Sequence, residues 1–243
     1  MGVYEELSVE LVRTYDHDID AFTQGLLFHD GKLYESTGLH GQSSLRRVAL
    51  ESGEVERKVV LDEELFAEGL ARVDDRLIQL TWREGKALVW DLETFERVGE
   101  FDYPGEGWGL CYDGERLIMS NGTDRLVFRD PETFEKLGEV TVRRAGRPVR
   151  RLNELECVDG LVYANVWTRE EIARIDPNSG EVTGWIDAGG LLAREDRHGN
   201  EDVLNGIAYL PESDTFLITG KNWAKMFEVR LKVENTIVPD AGP

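Results

Sequence analysis

The chain has 243 residues, 41% of them hydrophobic, and its 48 acidic against 28 basic residues give a formal net charge of −20. A surface this acidic repels phosphate backbones, so nucleic acid is not an expected partner, and no apolar run approaches the ~20 residues that a membrane helix needs, so neither is a membrane. Two cysteines, Cys111 and Cys157, are too few for a disulfide scaffold or a thiolate zinc site, and the four histidines show no ligand spacing.

Residues 1–6 are polar and acidic, without the pattern of a secretory leader, and assign no compartment. Residues 8–15 read as a strand that belongs to no neighbouring unit, and Asp16-His17-Asp18 reads as a solvated turn. From residue 24 onward a pattern of strand, Asp-Gly-type turn and strand recurs. It occupies residues 24–34 (turn Asp30-Gly31), 68–78 (Asp74-Asp75), 108–118 (Asp113-Gly114) and 153–163 (Asp159-Gly160). A fifth copy starts at Asn205 and has a longer turn at residues 211–214. The unit starts lie 44, 40, 45 and 52 residues apart. A second turn recurs within the units: Asp91-Leu92-Glu93-Thr94-Phe95-Glu96 matches Asp130-Pro131-Glu132-Thr133-Phe134-Glu135, with close relatives at 176–181 and 50–54. Each such turn lies between two more strands, which makes four strands per unit. Residues 189–204 form the largest insertion, expected to loop over one face with a short helical turn. The fifth unit supplies three strands only, at 205–210, 215–219 and 226–231, so residues 8–15 are expected to provide its fourth. Four-stranded sheets repeated at this period bury their faces against one another in a propeller. The expected fold is therefore all-β, a five-bladed β-propeller of four-stranded antiparallel blades. It forms one domain over residues 1–243, with blade starts near 24, 68, 108, 153 and 205, and is closed by the N-terminal strand. A β-sandwich with accidental internal similarity is the alternative.

The units are most informative where they differ. Their opening residues are Gln24, Glu68, Trp108, Asn153 and Asn205, where a core strand would carry Val, Ile or Leu. The aligned positions at the end of each second strand are Gly38, Trp82, Gly122, Trp167 and Lys221. A hairpin returns the end of its second strand beside the start of its first, so both sets are expected to ring one mouth of a central channel. Phe22 and Phe66, each two residues before an opener, complete an aromatic wall with Trp82, Trp108 and Trp167. Gln24, Glu68, Asn153, Asn205 and Lys221 supply the polar groups. Mostly apolar walls with a few convergent polar atoms are the composition of a small-molecule site. Taken one at a time, a Trp can equally be blade packing, and Asn153 or Asn205 a loop cap. Glu68, between Ala67 and Gly69 in an apolar run, is expected to be desolvated with a raised pKa. Glu154 and Glu156 are the next acidic residues near the mouth. Cys111 and Cys157 fall on neighbouring first strands, as a disulfide or as two buried thiols.

The segments Phe22-Thr23-Gln24-Gly25-Leu26, Phe66-Ala67-Glu68-Gly69-Leu70, Gly107-Trp108-Gly109-Leu110, Leu152-Asn153-Glu154-Leu155-Glu156, Asn165-Val166-Trp167, Leu204-Asn205-Gly206-Ile207-Ala208 and Thr219-Gly220-Lys221-Asn222-Trp223 occur in this order. Together they resemble the plant-type glutaminyl cyclases (glutaminyl-peptide cyclotransferases), also found in bacteria. The resemblance runs from about Phe22 to about Leu231. It implies a five-bladed propeller that cyclises an N-terminal glutamine to pyroglutamate with release of ammonia. The family's site pattern falls on Phe22, Gln24, Phe66, Glu68, Trp82, Trp108, Asn153, Trp167 and Lys221. In that chemistry Glu68 moves the proton, Lys221 and Asn153 stabilise the oxyanion, and the aromatic walls hold the glutamine side chain folded. No metal and no cofactor are expected. The expected partners are peptides or proteins with an N-terminal glutamine, and the chain is expected to be a monomer. Two other readings are a calcium-dependent lactonase-like propeller, using Glu68, Asn153 and Asn205 as ligands, and a non-catalytic interaction propeller. The positive charge of Lys221 opposes a cation, and the polar opening residues do not suit an ordinary apolar channel.

Overall fold

The computed structural model describes residues 3–238; Met1 and Gly2 of the polar start, and residues 239–243 of the expected domain, lie outside the described residues. Among the described residues the chain is β throughout, apart from one 3-10 turn at Arg194–Asp196 inside the long insertion. Strand β1 (Tyr4–Asp16) comes first in the chain. Strands β2 (Thr23–His29), β3 (Lys32–Thr37), β4 (Ser44–Val48) and β5 (Val55–Val60) then pair in sequence order as a four-stranded sheet. Strands β6 (Ala67–Val73), β7 (Arg76–Thr81), β8 (Lys86–Asp91) and β9 (Arg97–Asp102) form a second. Strands β10 (Leu110–Tyr112), β11 (Leu117–Met119), β12 (Arg125–Arg129) and β13 (Lys136–Thr141) form a third. A small hairpin follows, β14 (Arg143–Arg144) with β15 (Arg147–Pro148). Strands β16 (Leu152–Val158), β17 (Leu161–Val166), β18 (Glu171–Ile175) and β19 (Val182–Asp187) make a fourth group, and β20 (Leu204–Leu210), β21 (Thr215–Gly220) and β22 (Lys225–Ile237) end the chain.

The N-terminal strand completes the last group. β1 runs antiparallel to β22, from Tyr4 opposite Ile237 to Asp16 opposite Lys225. Its first residues also pair in parallel with β19, Glu5 opposite Gly184 through Ser8 opposite Asp187, so the last two groups merge into one eight-stranded sheet. Both β1 and β22 are longer than the sequence pattern indicates, because each covers the backbone edge of the other beyond the point where side-chain alternation fades.

Local chemistry explains the turns. Asp30-Gly31 and Asp159-Gly160 take positive φ at both residues (49° and 73°, 49° and 76°), the requirement of the tight hairpin turn. In the second recurring turn, the Asp91 carboxylate accepts the backbone N–H groups of Glu93 and Thr94, and Asp130 does the same for Glu132 and Thr133.

Apolar residues of each group pack on the next. Leu27 and Leu45 meet Leu70 and Trp90; Ala71 and Ile78 meet Leu117 and Phe134; Ile118 and Phe128 meet Leu155 and Ala173. Val158 and Ile172 meet Ile207 and Phe216, and Leu210 and Leu217 return to Leu26 and Leu33. Cys111 of β10 and Cys157 of β16 form a disulfide with Cα atoms 5.5 Å apart, a covalent tie across the third of these seams. The first strands come so close that a Cβ on Gly69 would stand 2.5 Å from Leu110 N, and one on Gly109 2.0 Å from Asn153 O.

Asp16-His17-Asp18 is not a solvated turn. The His17 side chain is buried, with Nε2 2.9 Å from Glu35 Oε1 and Nδ1 2.8 Å from the Trp223 carbonyl, while Asp18 pairs with Arg46 at 2.6 Å. Burial acts to lower the His17 pKa, but Glu35 and the carbonyl outweigh it and hold it above 6.5. Only Asp16 matches the expectation, in an exposed pair with Lys225.

Candidate active site

The opening residues are freed from ordinary pairing. The register of the first two strands shifts between Thr23 and Gly25, Ala67 and Leu70, Leu152 and Leu155, and Leu204 and Ile207. Gln24, Glu68, Asn153 and Asn205 lie in those breaks, where a bulge re-aims a side chain. In four of the five units the end of the second strand is tied back by a recurring bond: the N–H of Gly38 donates to Phe22 O, Trp82 to Phe66 O, Trp167 to Arg151 O and Lys221 to Val203 O, whereas Gly122 N donates to Leu152 O of the next unit. The two sets of positions therefore meet at one end of the ring of first strands.

There they enclose a cavity of about 470 Å³. Nine of the ten residues singled out from sequence line it: Phe22, Gln24, Phe66, Glu68, Trp82, Trp108, Asn153, Trp167 and Lys221. The aromatic walls form two runs. Phe66 stands edge-on to Phe22 at 6.2 Å and tilted to Trp82 at 5.5 Å, and Trp108 meets Trp167 edge-on at 5.6 Å. Asn205 is the exception. It is fully buried behind Gln24, and its amide donates to Thr23 O at 2.9 Å and Gln24 Oε1 at 3.2 Å. Gln24 in turn donates from Nε2 to Glu68 Oε1 at 3.0 Å. This relay fixes the orientation of the Glu68 carboxyl and leaves Oε2, buried, with no hydrogen bond; Asn153 Oδ1 is in the same condition.

Burial pushes the Glu68 carboxyl well above 4.5; the positive charge of Lys221 opposes that, and Glu106 and Glu84 reinforce it. Burial likewise pulls Lys221 below 10.5, with Glu68 and Asp202 countering. The Lys221 Nζ lies 4.7 Å from the centre of the Phe22 ring, a cation–π contact at the cavity wall.

Leu39, Arg83, Glu106 and Asp202 also line the cavity and were not singled out from sequence. Glu106 is the most consequential. Its Oε2 accepts the indole N–H groups of Trp82 at 2.9 Å and Trp108 at 3.1 Å, and its Oε1 accepts Arg83 Nε at 3.0 Å. Burial acts to raise its pKa, but these three donors hold it below 4.5. A signal for it existed, since Glu106 stands two residues before Trp108, as Phe22 and Phe66 stand before Gln24 and Glu68. Glu154 and Glu156 are not at the mouth. Glu154 accepts the N–H groups of Leu26 and Ile207, and Glu156 that of Tyr209, so both fasten β16 to the free edges of neighbouring first strands. Among the described residues, no three His, Cys, Asp or Glu side chains converge as a metal-binding set.

Fold and cavity together define an all-β protein with a recessed, aromatic-walled site that presents one desolvated carboxyl. A family model described as glutamine cyclotransferase matches residues 2–231, and the chain belongs to that family. The chain is 42% identical over 232 residues to a glutaminyl-peptide cyclotransferase of Arabidopsis thaliana, covering 92% of this chain and 71% of the relative. The crystal structure of Myxococcus xanthus glutaminyl cyclase matches with a TM-score of 0.89 and 42% identity, covering 96% of this chain and 100% of that one.

Proposed function

We propose that the chain converts the N-terminal glutamine of peptides or proteins to pyroglutamate and releases ammonia. Family membership supports the reaction. The observation that carries it to particular residues is Glu68, buried at the aromatic cavity with Oε1 held by Gln24 and Oε2 without a hydrogen bond. In the reaction the substrate's α-nitrogen attacks its own side-chain amide carbon. The N–C bond forms, and the carbonyl oxygen takes the negative charge. Glu68 accepts the proton that the α-nitrogen loses and passes it to the amide nitrogen. The C–NH₂ bond then breaks, ammonia leaves and the carbonyl re-forms. Lys221 and Asn153 stabilise the oxyanion. Phe22, Phe66, Trp82, Trp108 and Trp167 hold the side chain in a ring-closing shape, so that part of the rate comes from orientation. Gln24 and Asn205 act through Glu68, by fixing its carboxyl.

The scheme routes no step through a metal or cofactor. The lysine among the cavity walls speaks against the lactonase-like reading, and the cavity itself against a purely interaction-based one. For the architecture, we read the four groups of four strands, together with β1, β20, β21 and β22 as a fifth, as a five-bladed propeller in one domain. The five apolar seams that run round and return to the first group support this. We take the working form to be a monomer without a membrane partner, and the net charge of −20 speaks against nucleic acid. Incubation with a free Gln-peptide is expected to release one ammonia per peptide and leave a product lacking that mass. The N-acetylated peptide, whose α-nitrogen no longer attacks, is expected to be inert; equal turnover of both would overturn the reading.

A further inference from the structure

Taking the cyclisation reading as the basis, we propose that a basic groove leading away from Trp167 binds the segment following the substrate's N-terminal glutamine, and that this segment is acidic. The chain carries a net charge of −20, yet residues 143–151 hold five arginines and no acidic residue. Among the described residues, none of the five forms an ion pair, whereas Arg13, Arg46, Arg76, Arg116, Arg125 and Arg174 each hold a carboxylate. Hairpin β14–β15 turns at Ala145-Gly146 and is anchored where Arg143 N donates to Gly180 O. It overhangs a groove of about 600 Å³ whose walls include Arg144, Arg147, Arg150, Arg151, Arg169 and Trp185. Arg144 lies over the Trp185 ring at 4.4 Å. Arg169 is the one basic wall residue already paired, with Glu171 at 3.0 Å.

The groove adjoins the cavity at Trp167. Val166 lines the groove and Trp167, the next residue, lines the cavity. The Arg151 guanidinium sits 5.6 Å from the centre of the Trp167 ring, and Trp167 N donates to Arg151 O at 2.8 Å. Arg151 stands two residues before Asn153, the register that holds Phe22, Phe66 and Glu106 in the preceding units, so this position of the rim is cationic. Trp167 is 37% exposed, which puts it at the way out of the cavity. A glutamine seated inside therefore directs the residues behind it past Trp167 and under unpaired guanidinium groups. Guanidinium forks match carboxylates in paired hydrogen bonds, and the acidic surface elsewhere leaves this groove as the favourable path for an acidic chain. The same surface charge disfavours a longer polyanion such as nucleic acid, whose backbone runs beyond the groove.

The test compares three Gln-peptides of equal length, with neutral residues, with Asp and Glu, or with Lys at positions three to six. The wild-type chain is expected to turn over the acidic peptide about 10-fold better in kcat/KM than the neutral one, through KM, with the Lys peptide poorest and the spread shrinking at high salt. The double variant Arg147→Glu, Arg150→Glu changes exposed residues outside the cavity. It is expected to keep neutral-peptide activity and to lose or invert the acidic preference. Equal turnover of acidic and neutral peptides, or a preference that survives the double variant, overturns the proposal. So does a labelled oligonucleotide that the wild-type chain binds and the double variant releases, if no peptide preference accompanies it. If the neutral peptide is not turned over at all, the cyclisation reading fails; if it is turned over without charge preference, only the groove assignment fails.

Discussion

Glu106 shows how one side chain sets the shape of a wall. Two indole N–H groups, from Trp82 and Trp108, converge on a single carboxylate oxygen, and Arg83 holds the other. Hydrogen bonds to a charged partner contribute about 1.5–3 kcal/mol each in favourable settings. Glu106 is only half-buried, so Glu106→Ala is expected to lower kcat/KM by about 10-fold, a cost near 1.4 kcal/mol, with a change in tryptophan fluorescence. Glu106→Gln keeps an acceptor and is expected to lose less; equal losses in steady-state assays of the two variants would contradict the role. The polar openers are legible in the sequence because they break an apolar pattern that repeats five times, and Phe22 and Phe66 because each stands two residues before an opener. Glu106 follows the same register but is acidic in a chain rich in acid, so composition does not set it apart. His17 was illegible for another reason. The groups that bury it are Glu35 of β3 and Trp223 of the turn between β21 and β22, and Trp223 lies 206 residues away.

The first strands work as a set because small residues let their backbones meet. At Gly109 an added Cβ would fall within 3 Å of backbone and side-chain atoms of β16, which do not move independently. Gly109→Ala is expected to destabilise the fold by about 1–3 kcal/mol, a fall in Tm of about 3–10 °C by thermal melting, and to displace Trp108 and Asn153, lowering activity at temperatures where the variant is still folded. An unchanged Tm would mean that the strands yield more easily than their spacing indicates. In unit four Glu154 replaces this glycine and reaches across to β2 and β20, so the repeat departs where a side chain closes the ring. Strands, Asp-Gly turns and the N-terminal strand were legible because their periodicity is local. Hairpin β14–β15 was not: its three arginines offer no alternation, and its anchor on Gly180 is a contact between groups.

Across the whole molecule, buried carboxyls set the dependence of stability on pH. Burial pushes Glu156 from 4.5 up to about 8, although Tyr209 N donates to it. Between those values the folded chain holds a proton that the unfolded chain has released, so stability falls as pH rises through that window. Glu154 and Glu68 act in the same direction. Glu156→Gln keeps the acceptor for Tyr209 and removes the titration. Its Tm is expected to vary less between about pH 5 and about pH 8 than that of the wild-type chain, and to be higher at the upper end; parallel melting curves for the two proteins would show that Glu156 is not the group responsible.

The central claim is that Glu68 carries the proton between the two nitrogens of the substrate, and kcat of Glu68→Gln on a free Gln-peptide tests it most directly. Gln preserves the shape and an acceptor for Gln24 but neither takes nor returns a proton. The predicted result is a kcat lower by about 10²- to 10⁴-fold in a variant that melts cooperatively. In the wild-type chain the working form is the carboxylate, so activity is expected to drop on the acid side at an inflection above 4.5, as burial dictates. A Glu68→Gln variant with near wild-type kcat would contradict the account.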